Sequence, residues 1–179
     1  NSKVKKVFLY FGTDLNNLTS KIVNIFRQKF FKEIKLHVIL TSKTKNFKKQ
    51  KKNILTRPNT KIDYDLPHLA NVIKKTQLGI VSGGQIVYEC LSMGLPIMIF
   101  ETAYNQNLSC KYLSNTKSVN FLGSFSKKNK KKYIQKIKLL VAKSKLRKFQ
   151  SIKSMRLIDG EGTQRIAKVI YNSLKKNEV

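Results

Sequence analysis

No run of about 18 apolar residues occurs in this chain, so no membrane-spanning helix is expected. No charged-then-apolar leader precedes a small-residue cleavage site, and the default compartment is therefore the cytoplasm. Cysteine is scarce: Cys90 and Cys110 both fall in predicted helices without metal-ligand spacing, which reads as reduced, packed thiols rather than a disulfide or a zinc site. His37 and His68 are too few for a metal cluster, so neither a metal nor a cofactor is expected. Arginine, the better fork for phosphates and base edges, occurs at Arg27, Arg57, Arg147, Arg156 and Arg165, while lysine supplies most of a formal net charge of +28. Counterion release draws so basic a chain toward polyanions. The abundance of Asn, Ile and Lys nevertheless points to AT-rich coding bias, and residues 43–52 and 127–132 read as solvated surface. Nucleic acid is accordingly not the expected partner, and acidic protein partners remain another outlet for the charge.

What is present is concentrated in the stretch Leu78 to Gln106, LGIVSGGQIVYECLSMGLPIMIFETAYNQ. Leu78 to Val81 is an apolar run fit for a buried parallel strand, and Ser82, Gly83 and Gly84 let the backbone turn sharply. A helix follows, and its first turn near Gln85 offers unpaired amides to a diphosphate. It ends at Gly94, Pro96 blocks continuation, and Ile97 to Phe100 forms a second buried strand that delivers Glu101 to Gln106 beside the glycine turn. Glu89, five residues past Gly84, is near enough to accept hydrogen bonds from a ribose diol; the competing reading is an exposed glutamate in a salt bridge.

The same strand, turn and helix order opens the chain. Val4 to Phe11 is an apolar strand, Gly12, Thr13 and Asp14 a turn, and Leu18 to Phe30 an amphipathic helix. Ile34 to Leu40 gives the next strand. A lysine-rich connection leads to an extended piece at Lys61 to Tyr64, and Pro67 starts a helix whose buried face is Leu69, Val72 and Ile73. Asn105 to Leu113 reads as a helix, Ser118 to Leu122 as a last strand, and the remainder as helical, including Tyr133 to Ala142 and Thr163 to Leu174. Alternating strands and helices require a doubly wound parallel sheet with helices on both faces. With 179 residues, no repeat and no linker, the chain fits one domain over its whole length. The loops Gly12 to Asn17 and Ser82 to Gln85 then face one cleft, where a diphosphate could span two helix starts. No full GxGxxG pattern and no Walker lysine motif is present.

Five ordered motifs carry a resemblance: FGTDLNNLT at Phe11 to Thr19, DLPHLANVI at Asp65 to Ile73, SGGQIVYECLSMGLP at Ser82 to Pro96, YNQ at Tyr104 to Gln106 and DGEGTQRI at Asp159 to Ile166. Together they resemble the carboxyl-terminal, nucleotide-binding half of GT-B-type proteins, above all the UDP-sugar hydrolases of pseudaminic acid biosynthesis and their spore-coat-polysaccharide relatives. A more distant likeness is to the N-acetylglucosaminyl transferase of peptidoglycan synthesis. The resemblance implies a Rossmann-like fold. It also implies that backbone near Leu66 meets the uracil edge, that Ser82, Gly83, Gly84 and Gln85 with the loop Gly12, Thr13 and Asp14 hold phosphates, that Glu89 binds ribose, and that Asn105 and Gln106 reach phosphate or sugar. Phe11 stands where the family usually has a second glycine, and Tyr104 where it has an acidic residue.

The amino-terminal half, which in those hydrolases carries a Gly-rich loop and a catalytic histidine, has no counterpart here: His37 falls on a predicted strand and His68 beside the uracil segment. The chain begins at Asn1, and a fragment or separate half is expected, binding UDP or a UDP-sugar but not turning it over without its partner half. Hydrolase and glycosyltransferase readings both stay open at this stage. A basic nucleic-acid-binding module is a third, with Phe47, Phe125 and Phe149 its only suggestive aromatics.

Overall fold

A computed structural model describes residues 3–176. Among these residues six parallel strands form one sheet in the order β3-β2-β1-β4-β5-β6: β1 (Lys6–Tyr10), β2 (Lys35–Leu40), β3 (Thr60–Tyr64), β4 (Leu78–Ser82), β5 (Ile97–Glu101) and β6 (Asn120–Ser124). This is the doubly wound sheet that the alternation of elements demands. Val7, Leu9, Leu36, Val38 and Leu40 bury one face together with α1 (Leu18–Ile25), α2 (Phe47–Leu55) and α6 (Lys130–Ala142). Phe8, Ile39, Val81, Ile97 and Ile99 bury the other with α3 (Ala70–Lys74), α4 (Ile86–Ser92) and α5 (Asn107–Asn115). Burial on both faces is why β4 and β5 read as continuous apolar runs rather than as alternation. Each fully buried Leu, Ile or Phe contributes roughly 1.5–3 kcal/mol. Helix α7 (Ser144–Leu157) returns over the end of α4. Gly94, at φ 67, closes α4 in a conformation and a space that only glycine fits, because a Cβ there would lie 2.8 Å from Ser151 Oγ. The last helix, α8 (Gly162–Lys176), starts from a turn in which Arg165 donates two hydrogen bonds to Asp159, at 2.8 and 2.9 Å.

Four local expectations are corrected. Helix α1 stops at Ile25 instead of Phe30, because Gln28 is extended and a 3-10 turn at Lys29–Phe31 folds Phe31 back to 4.8 Å from Phe26. The carbonyls freed by that break are taken by the buried Arg57 guanidinium, which donates to the oxygens of Phe26, Phe31 and Ile34 at 3.1, 2.9 and 2.8 Å. Residues read as a lysine-rich connection contain helix α2. Its lysines are exposed and only Gln50 and Ile54 are buried, which left little apolar periodicity to read. Helix α3 begins at Ala70 rather than at Pro67, because Asp65, at φ 42, turns the chain first. Strand β6 begins two residues later than expected, since the Ser118 hydroxyl belongs to the end of α5, donating to Leu113 O at 3.2 Å.

Candidate functional site

The sheet order sets the position of the site. From β1 the chain leaves toward β2, and from β4 it leaves toward β5, so the two connections diverge and open a crevice at the carboxyl ends of these neighbours. A cleft of about 510 Å³ occupies that place, and Gly12, Leu66, Ser82, Gly84, Gln85 and Glu89 line it. Six residues singled out in the sequence, drawn from three separate segments, thus meet at one cavity.

The β4–α4 turn forms its floor. Gly83 N donates to Phe100 O at 3.1 Å, which fixes the turn against β5, while the amides of Gly84 and Gln85 have no acceptor among the described residues. The Ser82 hydroxyl is likewise unpaired, 3.9 Å from where a Cβ on Gly84 would stand. Two free amides and a hydroxyl on one turn form a donor set suited to an anion. Helix α4 has only seven residues, so these donors, rather than a long helix dipole, are what the turn offers an anion. Glu89 lies one turn further along α4, exposed at the cleft and without a protein partner among the described residues. The salt bridge considered for it is absent among the described residues.

Gly83 does not line the cleft; it packs. A Cβ on it would collide with Cys110 Sγ and sit 3.1 Å from Gln106 Cβ, so the absent side chain is what lets α5 approach the turn. Gln106 is on the same contact, and its Oε1 accepts from Thr102 N at 2.9 Å, tying down the loop after β5. Its Nε2 end points toward Gly84, 4.0 Å from the Cβ position there. Asn105 is exposed on a 3-10 turn at Tyr104–Gln106, outside the cleft lining. The adjoining Tyr104 instead borders a second recess of about 430 Å³ with Lys21, Glu101 and Thr102.

The first loop divides. Gly12, at φ 60 with open space around its Cβ position, borders the cleft, and Thr13 is exposed beside it, its carbonyl accepting from Lys45 N at 2.9 Å. Asp14 is different: it is 2 % exposed, and its carboxylate accepts from the amides of Leu18 and Thr19 and from Gln50 Nε2 at 3.0 Å. The expectation of a diphosphate across two helix starts is therefore corrected. The amides that open α1 are already satisfied within the chain, Leu18 and Thr19 by Asp14 and Ser20 by Gln50 Oε1 at 3.2 Å, so the Asp14 carboxylate serves as an internal cap.

The cleft is completed by Tyr10, Pro67, His68, Leu69, Ala70 and Ile86, none of which was given a ligand role from the sequence. Tyr10 could have been found by alternation, since it shares a face with Phe8 and pairs with Val81. Burial, then the carboxylates of Glu89 and Asp65, raise the Tyr10 phenol above its ordinary value, so it stays neutral as a donor. Asp65 itself anchors the wall: it accepts from Ser42 N at 2.9 Å and so sets where Leu66 and Pro67 stand. The thiols are buried, and desolvation pushes Cys90 and Cys110 upward, Cys90 strongly. Of the aromatics that suggested nucleic acid, Phe47 packs on Tyr64 at 5.3 Å and Phe125 on Tyr133 at 5.3 Å, which leaves Phe149 as the exposed one. Among the described residues no helix is long and apolar enough to cross a membrane.

No protein-family model and no curated protein matches the chain. Solved structures do. MurG of Acinetobacter baumannii superposes with a TM-score of 0.73 at 14% identity, over 95% of this chain and 52% of that one. The UDP-GlcNAc 2-epimerase of Neisseria meningitidis, bound to UDP-GlcNAc, gives 0.69 at 14% identity, over 96% and 45%. WaaG, a glycosyltransferase involved in lipopolysaccharide biosynthesis, gives 0.66 at 12% identity, over 88% and 44%. The fold is thus the Rossmann-like α/β fold of GT-B proteins, and the chain spans about half the length of the structures it matches.

Proposed function

We propose that this chain is the nucleotide-sugar-binding half of a UDP-sugar hydrolase acting in surface-polysaccharide or nonulosonic acid synthesis. The observation that carries the reading is the convergence, at the β1/β4 crevice, of two unpaired loop amides and the Ser82 hydroxyl with an unpaired Glu89 one helical turn away. Donors on one side suit a diphosphate, and a lone carboxylate on the other suits a ribose diol. Leu66 and Leu69 give the apolar wall against which a flat base can lie, with the Leu66 backbone free to meet its edge. In this reading Gln106, whose Nε2 end lies toward Gly84, reaches a phosphate, while Asn105 and Thr13 are exposed beyond the cleft lining.

In this reading water attacks the anomeric carbon and UDP departs with the bonding electrons. Negative charge grows on the diphosphate as the bond breaks, so the amides of Gly84 and Gln85 bind the transition state more strongly than the ground state. A general acid or base must come from a second half, since no histidine lies at the phosphate end of the cleft; His68 lines the wall beside Leu66. Alone the chain binds without turnover. A second reading, the donor half of a glycosyltransferase in which a sugar hydroxyl replaces water, is favoured by the fold likeness to a glycosyltransferase such as WaaG.

Calorimetric titration with UDP, UMP, GDP and a short RNA at two salt concentrations tests the proposal. Selective, saturable binding of UDP is expected. RNA binding that collapses with salt, with no binding of UDP, would refute it in favour of the basic-module reading.

A further inference from the structure

On the face of the sheet that carries Phe8 and Ile39, helix α3 is too short to cover the outer strands. The part left open is a recess of about 670 Å³, larger than the nucleotide cleft. Four lysines border it, Lys6 on β1, Lys35 on β2, Lys61 on β3 and Lys75 after α3, together with His37. Strand alternation and register account for their meeting: Lys6 is the lateral partner of Lys35, and His37 the lateral partner of Lys61. Like charges on neighbouring strands repel, so the arrangement costs stability unless something anionic lies over it.

The chain itself supplies little of that anion. Asp63 is the one carboxylate bordering the recess, and it is already engaged with both His37 Nε2 at 2.7 Å and Lys61 Nζ at 2.8 Å. Lys6, Lys35 and Lys75 have no carboxylate partner among the described residues. No Phe, Tyr or Trp borders the recess, and it shares Leu66 and His68 with the nucleotide cleft as a common wall. Stacking of a nucleic-acid strand is favoured by Phe, Tyr or Trp platforms, which this lining lacks.

We propose that this recess is a second binding site, separate from the nucleotide cleft, that takes a small anion of the phosphate class between Lys6, Lys35 and Lys75. The shared wall means that an occupant here touches the segment that also shapes the cleft. The site does not depend on the UDP reading, since its cationic donors lie on other residues and only Leu66 and His68 are common to the two cavities.

The two histidines of the chain make the test direct, because His37 borders only the recess while His68 borders both cavities. Inorganic pyrophosphate, titrated against the ¹⁵N-labelled chain at low salt, is expected to shift the His37 ring resonances saturably. UDP at cleft-saturating concentration should move His68 and leave His37 in place. Lys35→Gln and Lys75→Gln should each weaken pyrophosphate about tenfold, the scale of one hydrogen bond to a charged group. Lys130→Gln and Lys131→Gln, on the exposed start of α6, should leave it unchanged. No saturable His37 shift, equal weakening by the α6 variants, or a His37 response to short RNA but not to pyrophosphate would each overturn the proposal. The UDP response of His68 is read in the same spectra, so loss of one site is distinguishable from loss of the other.

Discussion

Asp14→Ala should destabilise the fold by about 3 kcal/mol without touching ligand chemistry. The carboxylate is buried and holds the first amides of α1 through Leu18 and Thr19, so its removal costs a helix cap, about 1–2 kcal/mol. It also accepts from Gln50 Nε2 at 3.0 Å, and leaving that buried donor one bond short adds about 1 kcal/mol. The backbone at φ 45 lies in the left-handed region, which aspartate and asparagine tolerate better than alanine, for roughly another 0.5 kcal/mol. Asp14→Asn keeps the backbone preference and one acceptor oxygen, and should cost about half as much. Urea unfolding followed by far-ultraviolet circular dichroism measures both, and at roughly 2–4 °C per kcal/mol for a chain of this size the alanine variant should melt about 10 °C early. Folded Asp14→Asn should bind UDP as the parent does. A shift worth under about 1 kcal/mol for alanine, or a tenfold loss of UDP affinity in a variant of unchanged stability, would refute the assignment of Asp14 as an internal cap.

Glu89→Gln should weaken UDP by about tenfold in calorimetry while leaving the melting temperature unchanged, since the side chain is exposed and unpaired. Gly83→Ala should destabilise by about 1–3 kcal/mol in urea unfolding, and Cys110→Ala in the same chain should recover part of it, because the new methyl meets Cys110 Sγ first. Arg57→Leu, which strands the carbonyls of Phe26, Phe31 and Ile34 in the interior, should cost at least about 3 kcal/mol by the same measurement. Acid should also weaken the fold. Burial lowers the His37 pKa below its ordinary 6.5 despite the opposing contact with Asp63, so the unfolded chain binds the proton more readily and stability falls as pH drops below about 6.5. His37→Gln should flatten that limb in unfolding curves between about pH 7.5 and 5.

The strongly apolar strands β1, β2, β4 and β5 were legible because burial on both faces leaves an unbroken hydrophobic signature, and the glycine turns marked where the chain reverses. Helix α2 was not, because its outward positions are lysines and its few inward ones are mixed. In the site, Gly12, Ser82, Gly84, Gln85 and Glu89 could be brought together on paper because each lies at the carboxyl end of a strand or in the turn or helix that follows it, whereas Leu66 came only from the resemblance. Asp14 misled for the same reason: proximity to that edge cannot reveal which way a side chain turns. Its inward direction depends on Gln50, a residue 36 positions away on the helix that was not read. Tyr10 was hidden inside a hydrophobic run, where its hydroxyl carries no distinctive pattern.

Tyr10 has an optical use. The chain has seven tyrosines and no tryptophan, so tyrosine emission has no indole to drain it by energy transfer. Tyr10 is the one tyrosine that borders the β1/β4 cleft. Its phenol is held neutral by burial and by two carboxylates, which favours the emitting form over the quenched phenolate. A uracil ring arriving beside it should dim a defined share of the ultraviolet fluorescence, and Tyr10→Phe should erase that share alone, giving the binding event a built-in light signal that needs no label.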